Sequence, residues 1–216
     1  MMSKRNDFDL SVYFVVDPSV CNGRAVEAVV RDAVIGGVTM VQLRNKVDTA
    51  DIVEAQARAI QTILADSNVA FIINDHVALA AKIGADGVHI GQEDMSAAQA
   101  RKIIGESAIL GVTAYNTAHY AAIDTACVDY LGTGPFFSTL TKPDKAVLGA
   151  HGFASLVCTT SLPVVGIGGI TPENANDVMA AGANGVAMMR SVSQADDVIG
   201  AAKKFAEIIR KTKDAA

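Results

Sequence analysis

The feature that most constrains this chain is the regular alternation of short apolar runs with amphipathic stretches. Leu10–Val16, Val38–Leu43, Val69–Ile73, Gly87–Ile90, Ile109–Thr113, Tyr130–Gly132, Pro163–Ile167 and Gly185–Met189 read as strands, rich in β-branched and aromatic residues. Helical spacing follows each of them, over Gly23–Ile35, Asp48–Ala65, His76–Ile83, Ser96–Ile104, Asn116–Ala126, Ala150–Cys158, Pro172–Ala181 and Ala195–Ile209. Strands that are apolar throughout and always separated by a helix predict a parallel sheet, because parallel neighbours need a long crossover and lose both faces to packing. Eight such units without a linker predict a closed (β/α)8 barrel, an α/β fold that uses 200–250 residues as one domain. The 216 residues are therefore read as a single domain, with a short tail over about residues 1–9.

Local punctuation supports this reading. Asp48, Ser96 and Thr171, the last followed by Pro172, are expected to cap helices. Gly36, Gly84 and Gly182 fall where helices turn back toward strands, which predicts left-handed backbone at each. Gly84-Ala85-Asp86-Gly87-Val88 and Gly182-Ala183-Asn184-Gly185-Val186 are near copies, with Gly36-Gly37-Val38 a weaker relative, so an internal repeat is expected. An open nucleotide-binding sheet would place GxGxxG after the first strand, where Asp17-Pro18-Ser19 stands instead.

Composition excludes several classes of function. With 18 Lys and Arg against 23 Asp and Glu, the net charge of −5 has the wrong sign for a nucleic-acid partner. No apolar run approaches the ~18 residues of a membrane helix, and no export signal is apparent, so a cytoplasmic protein is expected. Cys21, Cys127 and Cys158 lie far apart without metal-binding spacing and are read as buried reduced thiols.

In a parallel barrel, chemistry sits at the C-terminal ends of strands. Strand 2 ends in Gln42-Leu43-Arg44-Asn45-Lys46, and alternation puts Gln42 and Arg44 on one side with Lys46 at the rim. Those cations suit phosphate oxygens. Strands 3 and 4 end in Asn74-Asp75 and Gly91-Gln92-Glu93-Asp94, acids that either cap the next helices or supply hard oxygen ligands to magnesium. A long segment after strand 6, carrying Ser138, Thr139, Thr141 and Lys142, has the length of a lid. Gly166-Ile167-Gly168-Gly169 and Met189-Arg190-Ser191 close strands 7 and 8, the usual phosphate site of this fold. His89 and His119 are read as packed or hydrogen-bonded.

These motifs, in order, resemble thiamine-phosphate synthase: Gln42-Leu43-Arg44-x-Lys46, Ile73-Asn74-Asp75, the run from Gly84 to Asp94, Gly132-x-Gly134-Pro135 with Thr139-x-Thr141-Lys142, and Gly166 to Ile170. The resemblance implies a barrel that joins hydroxymethylpyrimidine diphosphate to a thiazole phosphate with Mg2+ and releases pyrophosphate, by dissociative cleavage of the C–O bond. It assigns Arg44, Lys46, Asn74 and Lys142 to pyrophosphate, with Arg44, Lys46 and Lys142 as the catalytic cations, and Asp75 and Asp94 to the metal. Gln42 and Thr113 fall to the pyrimidine, and Thr139, Thr141, Gly169, Met189 and Arg190 to the thiazole phosphate. Departures are His76 for a usual Arg, Thr113 for Ser, Ser138 and Leu140 in the lid, and Arg190 for a small residue. A thiazole tautomerase barrel of the same superfamily is the alternative, but it is not expected to keep the full cation set with paired acids. Phosphosugar isomerases or aldolases would show a Glu base or a Schiff-base Lys. The expected partners are two small-molecule phosphates, with no nucleic acid and no membrane. A homo-oligomer is compatible with the outer helices, although no interface stripe stands out.

Overall fold

The computed structural model describes residue 5 and residues 7–141 and 144–214. Eight parallel strands close in sequence order, β1 (Val12–Val16), β2 (Met40–Leu43), β3 (Ala70–Asn74), β4 (Gly87–Ile90), β5 (Ile109–Thr113), β6 (Tyr130–Thr133), β7 (Val164–Ile167) and β8 (Gly185–Met188), with β1 paired to β8. Around them lie α1 (Val26–Ile35), α2 (Ala50–Leu64), α3 (Val77–Ile83), α4 (Ala97–Ile104), α5 (Thr117–Ala121), α6 (Gly149–Val157), α7 (Ala175–Ala180), α8 (Arg190–Ser193) and α9 (Val198–Asp214). The expected (β/α)8 barrel is thus the observed fold. No helix among the described residues is long and apolar enough to cross a membrane.

Two layers of apolar packing hold the barrel. Outward strand residues such as Val12, Phe14, Val41 and Phe71 meet helix residues at helical spacing, for example Val53, Ala57, Ile60 and Leu64 of α2. Inward residues, including Tyr13, Val15, Met40, Ile72, Ile109, Tyr130 and Val165, fill the interior. Because side chains alternate along a strand, the inward parity of Tyr13 and Val15 extends to Asp17, and that of Met40 extends to Gln42 and Arg44.

The internal repeat has a structural cause. The residue just before each even-numbered strand accepts a main-chain N–H from the strand before it. Thr39 Oγ1 takes Val12 N at 3.0 Å, Asp86 Oδ2 takes Phe71 N at 2.8 Å, Asp129 Oδ2 takes Leu110 N at 2.7 Å, and Asn184 Oδ1 takes Val164 N at 2.8 Å. Donors at the staggered lower rim of a tilted barrel need such a partner when buried. The Asp or Asn of the Gly-Ala-Asp/Asn-Gly-Val motif is therefore a strand-start acceptor.

Several local expectations are corrected. Gly36 is right-handed, and the positive φ of 99° belongs to Gly37. Gly36 is instead a close approach, since a Cβ there would lie 2.5 Å from the Ala202 Cβ on α9. Gly84 and Gly182 are left-handed as expected, at φ 66° and 98°. Asp48 does not cap α2, because its carboxylate accepts from Asn45 Nδ2 at 2.7 Å. Thr171 does not open α7 either. Its N–H is taken by Asn174 Oδ1 at 2.8 Å, and the helix starts at Ala175. Ser96 does cap α4, reciprocally with Gln99. The expected helix over 116–126 stops at Ala121, because Asp124 accepts Ala126 N and turns the chain early. The stretch after β8 forms two helices rather than one. Of the cysteines, Cys21 is buried, Cys127 half-buried and Cys158 exposed.

Candidate active site

At the C-terminal mouth of the barrel lies a cavity of about 450 Å³. Of the residues singled out from sequence, Gln42, Arg44, Asn74, Thr113, Thr139, Thr141, Gly169, Met189 and Arg190 line it together. Lys46, Asp75 and Asp94 are not among its lining residues, and Lys142 lies outside the described residues.

On the β2 side the cations are held by acids. Arg44 Nη1 donates to Asp17 Oδ2, a carboxylate only 3% exposed at the end of β1. Asp17 Oδ1 also accepts from Ser19 N at 3.0 Å and Ser19 Oγ at 2.6 Å, which fixes the turn after β1. Lys46 Nζ pairs with Asp75 Oδ2 at 2.7 Å. Asn45, 2% exposed, ties down the loop that carries Lys46, donating to Asp48 Oδ2 and Gln56 Oε1 while accepting Val47 N and Asp48 N. His76 sets Nε2 3.4 Å from the Asn45 carbonyl.

Neither acid of the predicted metal pair caps a helix. Asp75 sits at φ 61° and gives its N–H to the His89 carbonyl at 2.9 Å, linking the mouths of β3 and β4. Asp94 Oδ2 accepts Gly91 N at 2.7 Å, an approach that a side chain at Gly91 would crowd.

Across the cavity, Gly168 and Gly169 carry φ values of 102° and 66° and leave backbone bare after β7. A Cβ on Gly169 would fall 2.4 Å from the Ser138 carbonyl, so this turn and the β6–α6 segment fit only with glycine there. Gly166 plays a different part, packing beneath Val178 of α7. After β8, Arg190 Nε and Ser191 Oγ are buried with no partner among the described residues, in two residues that line the cavity. Such donors suit an anionic group.

Residues from the β6–α6 segment, among them Ser138, Thr139, Thr141 and Lys145, line the mouth. Phe136 N and Phe137 N bond to the Ile167 and Gly168 carbonyls at 2.9 and 3.0 Å, pinning the start of the segment to the β7 turn. Leu140, 81% exposed, is not among the positive-φ residues, so the backbone there does not call for glycine. Lys145 Nζ donates to Tyr115 Oη at 3.1 Å and stands 4.6 Å over its ring, contacts that push the lysine pKa up.

Sequence reasoning missed Asp17, Tyr13, Tyr115, Lys145 and Gln194. Asp17 was accessible through strand parity, as the inward position two beyond Val15, but Asp-Pro reads first as a strand stop. His89 is hydrogen-bonded as expected, to Tyr130 Oη at 3.0 Å and Thr113 Oγ1 at 2.9 Å, and it also faces the cavity.

Barrels with bare backbone after strands 7 and 8 bind phosphate there, and a cationic pole across the same mouth puts this chain among the barrel enzymes that act on phosphorylated small molecules. The comparisons agree. Residues 12–192 match the family described as thiamine monophosphate synthase. The thiamine-phosphate synthase of Chloroflexus aurantiacus is 40% identical with 100% of both chains covered, and that of Azorhizobium caulinodans 42% identical over 95% of this chain and 98% of its own. The solved thiamine phosphate pyrophosphorylase of Pyrococcus furiosus superposes with a TM-score of 0.87 at 30% identity, covering 96% of this chain and 98% of that one. The chain belongs to the thiamine-phosphate synthase family and is a transferase of thiamine biosynthesis.

Proposed function

We propose that this chain joins hydroxymethylpyrimidine diphosphate to a thiazole phosphate at this cavity, forming thiamine phosphate and pyrophosphate. The observation that carries the reading is one cavity with two anion-suited poles, Arg44 and Asn74 on one side and Gly169, Arg190 and Ser191 on the other.

In this reading Arg44, Lys46, Asn74 and Lys142 hold the diphosphate, while Gln42 and Thr113 orient the pyrimidine ring. Thr139, Thr141, Gly169, Met189 and Arg190 hold the thiazole phosphate. Asp75 and Asp94 would hold magnesium. The donor set fits: two hard carboxylates suit an ion that also rests on diphosphate oxygens. Among the described residues no group of three His, Cys, Asp or Glu side chains would hold a metal alone. When bound, magnesium neutralises charge on the diphosphate and on the leaving pyrophosphate.

The methylene C–O bond breaks first, and its electron pair leaves with pyrophosphate. The resulting cation is stabilised by the pyrimidine, and the thiazole nitrogen donates its lone pair to form the new C–N bond. No proton is transferred, which suits a site built of cations, amides and hydroxyls rather than a poised acid–base pair. The residues' main work is to stabilise charge on the departing group.

The test mixes both substrates with magnesium and follows thiamine phosphate and pyrophosphate, with and without chelator. Asp94→Ala and Lys142→Ala are expected to lower turnover by roughly 10²–10³-fold with little change in melting. Product formation in chelator, or near-wild-type turnover in both variants, contradicts the assignment.

A further inference from the structure

A chain of hydrogen bonds crosses the barrel interior along the floor of the cavity. Gln42 Nε2 donates to Tyr13 Oη, which lies 2.7 Å from Tyr130 Oη. Tyr130 Oη is 3.0 Å from His89 Nδ1, and His89 Nε2 is 2.9 Å from Thr113 Oγ1. Gln42 and Thr113, the two ends, line the cavity together with Tyr13 and His89, whereas Tyr130 does not and is fully buried. The fold makes room for this chain at Gly111, where a Cβ would lie 2.1 Å from Tyr130 Cζ.

With Gln42 Nε2 as the donor at its start, the chain has one polarity. A phenol has a single hydrogen. Tyr13, accepting from Gln42, gives its hydrogen to Tyr130, and Tyr130 gives its own to His89 Nδ1. His89 is then protonated on Nε2 and donates to Thr113, which leaves the Thr113 hydrogen for the cavity. At the other end the Gln42 amide spends one N–H on Tyr13, which leaves its carbonyl to accept from a group bound in the cavity that Gln42 lines. Reversing any single link would oppose two hydrogens or two lone pairs at a buried contact. Burial pushes both phenols well above their ordinary range, so they remain neutral donors.

We propose that Tyr13, Tyr130 and His89 are positioning residues that set the donor and acceptor pattern shown to the pyrimidine: a carbonyl from Gln42 and a hydroxyl hydrogen from Thr113. This rests on the functional reading above and makes the buried tyrosines specificity determinants. The pattern matches an aminopyrimidine, whose amino group donates and whose ring nitrogen accepts. It opposes the oxo analogue, whose carbonyl accepts and whose ring N–H donates.

The test compares kcat/KM for the aminopyrimidine diphosphate and its oxo analogue in the wild type, Tyr130→Phe, Tyr13→Phe and the double variant, with melting followed throughout. Tyr130→Phe is expected to narrow the preference by about tenfold, mainly through KM for the pyrimidine, with KM for the thiazole phosphate unchanged. Tyr13→Phe should do the same, and the double variant no more than either alone, because a chain cut once is already cut. Nitrogen-15 NMR of the wild type should find His89 protonated on Nε2, a readout that needs no variant to fold. A wild type that makes no thiamine phosphate overturns the functional reading and the pyrimidine assignment with it. Where the wild type is active, undiminished preference in folded variants, additive losses, or a proton on Nδ1 overturns the chain alone.

Discussion

Asp17→Asn tests whether the buried carboxylate at the end of β1 presents Arg44 to substrate. Asn keeps an acceptor for the Ser19 N–H and hydroxyl, which Oδ1 now serves at 3.0 and 2.6 Å, but removes the charge facing the Arg44 guanidinium. Losing one charge-assisted hydrogen bond costs about 1.5–3 kcal/mol. At about 2–4 °C per kcal/mol for a chain of this size, melting should fall by about 3–12 °C. The released arginine must then be ordered by the diphosphate itself, at about 0.5–1.5 kcal/mol for a side chain rich in rotamers. KM for the pyrimidine diphosphate should rise about 2- to 13-fold, while KM for the thiazole phosphate, bound at the opposite pole, stays the same. Steady-state kinetics with each substrate varied in turn, together with thermal unfolding, reads both numbers. Unchanged melting with tighter diphosphate binding would refute the reasoning, because Asp17 would then compete with substrate for Arg44 instead of presenting it.

Two further predictions concern the frame and the thiols. Asp129 accepts from Arg101 Nη2 and from Leu110 N, both at 2.7 Å, and both side chains of the ion pair are about 95% buried. Asp129→Ala should therefore cost about 3–5 kcal/mol in urea unfolding, with normal turnover in the molecules that remain folded. Burial pushes the Cys21 thiol up, and the Asp124 carboxylate beside Cys127 pushes that thiol up too. Less thiolate at a given pH means slower alkylation, so exposed Cys158 should label first in the native protein, Cys127 later, and Cys21 only on unfolding. Mass spectrometry of timed labelling checks the order.

Strand parity made much of this site legible in the sequence, because a period of two fixes which residues at a strand end look inward. Gln42 and Arg44 follow from it directly, Thr113 was carried only by the family resemblance, and the cavity gathers all three. The route from Gln42 to Thr113 through Tyr13, Tyr130 and His89 was not legible, since its links join residues on β1, β2, β4, β5 and β6 and depend on hydroxyl directions that no pattern encodes. Helix starts were misread where a cap-forming side chain had a stronger local partner, as Asp48 has in Asn45. Helix α8 was missed because four residues give no periodic signal. Gly36 and Gly166 were assigned to a turn and to the ligand rim, respectively. Their absent side chains instead admit Ala202 and Val178, neighbours that only the packed barrel brings near.

The positions of the two phosphate groups decide most directly whether this cavity is the active site. A crystal structure with thiamine phosphate, pyrophosphate and magnesium is predicted to put pyrophosphate against Arg44 and Asn74, with the metal at Asp75 and Asp94. The phosphate of thiamine phosphate should lie against Gly169, Arg190 and Ser191. Pyrophosphate at the glycine turn, or either product outside this cavity, would contradict it.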